Sequence, residues 1–131
     1  PDSFDRFTII DIESNEIIFL DRHRGDSCVM VFGKGWTDVK GDCRVAFFGN
    51  HQVTAHENSW IQLCGACNAE VFGSSHTTAC GNSHVEAWED SQVVACEDSQ
   101  VVVNENSHVE LWGNATASGT GKIIDRRENK V

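Results

Sequence analysis

The sequence predicts an all-β chain: a single parallel β-solenoid, or β-helix, with two octads in each 16-residue coil, about six coils, and capping strands. Three observations carry this. An eight-residue unit repeats without insertion from Gly25 to Thr120. Within a unit, apolar and polar residues alternate at period two, the pattern of a strand with one buried face. Residues sixteen apart resemble each other, as in Phe32, Phe48, Cys64, Cys80, Cys96 and Trp112, whereas a three-unit coil would mix Phe32, His56, Cys80 and Asn104.

The twelve units are GDSCVMVF, GKGWTDVK, GDCRVAFF, GNHQVTAH, ENSWIQLC, GACNAEVF, GSSHTTAC, GNSHVEAW, EDSQVVAC, EDSQVVVN, ENSHVELW and GNATASGT. Column one is always Gly or Glu, and column two is mostly Asn or Asp. Gly and Asn tolerate positive φ, so these columns form a tight corner. Column three is mostly Ser, whose hydroxyl can bond the corner backbone. Columns three, five and seven point inward; columns four and six, mixed and mainly polar, point outward. Column eight either turns inward as core or stands outward as an apolar stripe running along the solenoid. One unit cannot bury its apolar side, but stacked coils can. An antiparallel meander would have no reason to keep an eight-residue ruler.

The ends leave the ruler, which divides the chain into capping strands at 1–24, the octad solenoid at 25–120, and a capping strand with a charged tail at 121–131. FTIIDIESNEIIFLD reads as two strands, Phe7–Ile12 and Glu16–Asp21, around Glu13-Ser14-Asn15, forming the first coil or a cap. GKIIDRRENKV adds one apolar step at Ile123-Ile124. Solenoid ends are strand edges that invite stacking, and charges discourage it.

Composition narrows the function classes. The chain has 131 residues, a net charge of -10 and six cysteines. No apolar run is long enough for a membrane helix, and no secretory leader is visible. The cysteines Cys28, Cys43, Cys64, Cys67, Cys80 and Cys96 read as thiols, which favours a cytoplasmic chain. Between Val45 and Gly121 there is no Lys or Arg, only the acids Glu57, Glu70, Glu86, Glu89, Asp90, Glu97, Asp98, Glu105 and Glu110. Such a body repels phosphate backbones, so direct nucleic-acid binding is not expected.

The units carrying Glu89-Asp90-Ser91-Gln92-Val93-Val94-Ala95 and Glu97-Asp98-Ser99 resemble the octad of bacterial ice-nucleation proteins. The resemblance covers residues 25–120 and implies a β-solenoid with two octads per coil, from a bacterial or phage source. It departs where ice activity in that family resides: no strand here carries Thr at both columns four and six. Thr116-Ala117-Ser118 comes closest, and Trp36, Trp60, His76, His84 and Glu86 interrupt a flat hydroxyl array. Ice binding is therefore a subsidiary expectation.

The residues favour no chemistry. Cys64-Gly65-Ala66-Cys67 is a CxxC, but Cys67 falls in the serine column, so cysteine reads as a packing substitute for serine. His76 and His108 share a column two coils apart, about 10 Å, too far for one zinc, and His84 is on the other face. No phosphate loop, nucleophile elbow or HExxH occurs. Neither an enzyme nor a cofactor or metal is expected. Two functions are. The first is an interaction or assembly module, a homodimer joined through the stripe Phe32, Phe48, Cys64, Cys80, Cys96 and Trp112. The second is an acidic mimic of DNA that inhibits a DNA-binding protein, with Glu89, Asp90, Glu97, Asp98 and Glu105 as its surface. Nearly five coils span roughly 23 Å; DNA of that length carries about 13 charges, against the nine acids named above.

Overall fold

The computed structural model describes residues 7–21, 28–41 and 44–126, and these form a parallel β-solenoid of about six turns with no helix. Two long strands open it: β1 (Phe7–Asp21) and β2 (Cys28–Lys40). From there the chain alternates between two faces. The front face holds β3 (Arg44–Gly49), β5 (Trp60–Gly65), β7 (His76–Ala79), β9 (Gln92–Ala95), β11 (His108–Leu111) and β13 (Lys122–Asp125). The back face holds β4 (His51–Ala55), β6 (Asn68–Val71), β8 (His84–Ala87), β10 (Gln100–Val103) and β12 (Thr116–Gly119). β2 bends across a corner and pairs with both β3 and β4, so the two faces are one continuous sheet.

The ruler holds throughout the octads. Val45 pairs with Ile61, Ile61 with Thr77, Thr77 with Val93 and Val93 with Val109, always sixteen residues on. It breaks at both ends. Phe7 pairs with Cys28 and Asp21 with Lys40, with a register shift between Ile12 and Glu16. The paired stretches of β1 are the two expected strands, laid end to end as the first coil. At the other end His108 pairs with Lys122, fourteen residues on. Residues 22–27, where the first octad begins, Cys43 and the charged tail beyond Arg126 lie outside the described residues.

Columns five and seven fill the core. Val29, Val31, Val45, Phe47, Ile61, Leu63, Val93 and Val109 are buried on the front side, and Val53, Val71, Val85, Val101 and Val103 on the back. Small residues share this core, with Ala79, Ala87 and Ala95 fully buried in column seven.

The corners show why columns one and three are so restricted. The described column-one residues all turn through positive φ, including Gly65, Gly73 and Gly81 and the four glutamates Glu57, Glu89, Glu97 and Glu105. At Gly81 the need for glycine is also steric, because a Cβ would lie 2.5 Å from the Gly65 carbonyl oxygen of the coil before. The described serines of column three are fully buried. Each donates to the column-eight carbonyl three residues earlier: Ser75 to Phe72 at 2.6 Å, Ser83 to Cys80 at 2.9 Å, Ser99 to Cys96 at 2.7 Å and Ser107 to Asn104 at 2.6 Å. A buried hydroxyl without such an acceptor would cost about 1–3 kcal/mol.

Candidate functional site

Column eight stands outward at the front-to-back corner. Phe32 is 36 % and Trp112 42 % exposed, and Phe48, Cys64, Cys80 and Cys96 between them are half-buried. Two devices align the row. The backbone ladder continues past the strand ends, with Cys80 N–H donating to Leu63 O at 2.9 Å and Cys96 N–H to Ala79 O at 2.8 Å. The Phe32 and Phe48 rings then stack at 4.7 Å, nearly parallel. Column six of the front face adds Met30, Ala46 and Val94, half-buried beside the row. The result is an apolar stripe along the described solenoid.

The opposite corner carries a second row that the sequence reading passed over. His56 stacks on Phe72 at 5.4 Å, and Phe72 on Trp88 at 6.4 Å. Its signal was present: these are the column-eight residues of the alternate octads, sixteen apart. The row is shorter and more polar, ending at Asn104 and opening at Lys40, with His56 Nε2 3.3 Å from Asp38 Oδ1. A third stack runs up column four of the front face. Arg44 lies over the Trp60 ring at 5.7 Å, and Trp60 stacks on His76 at 4.2 Å.

Three of the described thiols, Cys64, Cys67 and Cys80, are raised above the ordinary thiol value, which disfavours the nucleophilic thiolate. Burial pushes Cys80 up to about 11, helped by Cys96, Cys64 and the Glu97 carboxylate. Burial and then Glu97 raise Cys64. Cys67 occupies a serine position and behaves like one, its Sγ–H reaching the Cys64 and Gly49 carbonyls at 3.4 Å each. Burial dominates there too and raises the thiol. Among the described residues no three His, Cys, Asp or Glu side chains converge as a metal site.

The acidic residues do not form one surface. Glu89, Asp90 and Glu105 sit at the back-to-front corner, Glu97 and Asp98 at the other. The three glutamate carboxylates are also engaged: Glu89 accepts from Gly73 N–H at 2.6 Å, Glu97 from Gly81 N–H at 2.5 Å, and Glu105 from Glu89 N–H at 2.8 Å. Glu57 does the same for Gly41 at 2.8 Å. These are charge-assisted bonds that close the corner one coil below.

His51 is the other residue whose role the repeat conceals. It stands in the serine column, fully buried, with Nε2 2.8 Å from Thr37 Oγ1 and Nδ1 3.2 Å from Gly33 O. Burial holds its imidazole below the ordinary value, only partly offset by the Gly33 carbonyl. On the back face a shallow groove of about 230 Å³ runs past Trp36, Gln52, Asn68, Glu70, His84 and Glu86. No protein-family model, curated protein or solved structure matches the chain.

Proposed function

We propose that the chain is a non-catalytic assembly module that pairs with a second copy side by side through the stripe Phe32, Phe48, Cys64, Cys80, Cys96 and Trp112. The observation that carries this reading is the outward, partly exposed setting of that row over five rungs, about 24 Å. An apolar row of that length in water favours a partner, and a row on one straight edge is self-complementary under a two-fold axis. The octad grammar, similar to that of ice-nucleation proteins, supports the same class, a rod that presents a face. The DNA-mimic reading has less support, because its acids divide between two corners and its glutamates Glu89, Glu97 and Glu105 are bound to backbone N–H groups.

Mass in solution tests this directly. The chain is expected to sediment as a dimer at micromolar concentration. Phe48→Lys with Trp112→Lys should give a monomer that keeps its circular dichroism, since both positions stand outward. A wild-type monomer across that range would overturn the reading.

A further inference from the structure

We propose that the thiol ladder Cys64–Cys80–Cys96 is a binding site for a soft monovalent metal ion such as Cu(I), held in linear coordination between sulfurs on adjacent rungs. These three half-buried thiols occupy one column on three consecutive coils, and none is in a disulfide. The backbone ladder holds them on successive rungs, with Cys80 N–H bonded to Leu63 O and Cys96 N–H to Ala79 O.

The spacing selects the ion. Adjacent strands lie about 4.8 Å apart. Two collinear metal–thiolate bonds of about 2.3 Å span roughly 4.6 Å, which matches one rung. Bent to a tetrahedral angle, the same two bonds span only about 3.8 Å, and a zinc ion would still need two further ligands. Among the described residues no third ligand stands beside any pair. Thiolates favour Cu(I) among physiological ions, so a pair of parallel thiols one rung apart fits a two-coordinate soft cation and little else. Cys67 is no competitor, because its Sγ–H is turned inward onto carbonyls.

The balance is simple. Two thiols and one M⁺ give an RS–M–SR′ anion and release two protons to water, with no change in oxidation state. Affinity therefore rises with pH. The three thiols lie within the stripe proposed as the dimer interface, and the two readings are told apart by their readouts, bound metal here and mass there.

The geometry makes Cys80 the shared member, since Cys64 and Cys96 are two rungs, about 9.6 Å, apart. The test uses the full chain with Cys28→Ser and Cys43→Ser, titrated anaerobically with Cu(I) against a chromophoric Cu(I) chelator. This protein should extract about one ion. Adding Cys64→Ser or Cys96→Ser should each leave one adjacent pair and keep tight binding, within about tenfold. Adding Cys80→Ser should lose at least a hundredfold, with circular dichroism unchanged; Cys80→Val serves if the serine variant misfolds. Equal binding with and without Cys80 would overturn the proposal. So would equal loss on removing any one of the three, or no competition with the chelator by the parent.

Discussion

Four glutamates hold the left-handed corner conformation that glycine usually takes, and each sends its carboxylate back sixteen residues to a backbone N–H. The left-handed region costs a side chain about 1–2 kcal/mol, and the charge-assisted bond offsets it. Glu89→Ala keeps the strain and loses the bond, whereas Glu89→Gly loses both. The alanine variant should therefore be less stable than the glycine variant by about 1 kcal/mol in matched thermal scans, and equal melts would disprove the strain. His51 gives a second residue-scale prediction. Its native pKa lies below the unfolded value of 6.5, so the unfolded chain binds the extra proton. Stability is full above that value and is lost as pH falls beneath it. Melting temperature should decline from pH 7 to pH 5, and His51→Ser, which restores the column's usual residue, should flatten that decline even if it lowers the plateau.

At the scale of the strand, β9 distinguishes the two sides of the sheet within two residues. Val93 is fully buried, while Gln92 is exposed between His76 and His108 on the neighbouring rungs. Val93→Asp buries an unpaired charge and should cost more than about 4 kcal/mol by urea titration. Gln92→Asp should stay within about 0.5 kcal/mol. Comparable costs would mean the register is wrong by one residue. That register was legible in the sequence because Val93, Ala95, Val109 and Leu111 alternate with polar neighbours on an unbroken ruler. The setting of column eight was not. Phe48 and Trp112 have the composition of core, and their position falls where the chain leaves the strand, so alternation alone left both directions open. The glutamates were legible as a pattern but not as a cause. Their partners lie sixteen residues back, and only stacking brings them together. His51 was hidden by the opposite effect, a large residue occupying a position whose serines suggested something small.

For the molecule as a whole, octads are interchangeable parts, but edges are not. Removing residues 73–88 deletes a full coil and leaves each later residue on its own face, with Cys96 stacked on Cys64. Removing 89–96 deletes half a coil. The core grammar survives, yet Trp112 moves to the corner of Trp88, and Asn104 and Thr120 take the places of Cys96 and Trp112 in the stripe. Both deletions should fold and give the same β-rich circular dichroism. Only the half-coil deletion should weaken the dimer seen by sedimentation; equal dimerisation of the two would count against the stripe. The carboxylate bridges give the molecule one more property. Every one runs backward along the chain, so the corner amides of Gly41, Gly73, Gly81 and Glu89 acquire their acceptor only after sixteen more residues have been added. A chain emerging from a ribosome would thus carry its newest corner open and its older ones sealed. The rod has a polarity of construction, in which each turn is the template for the next and is completed by it.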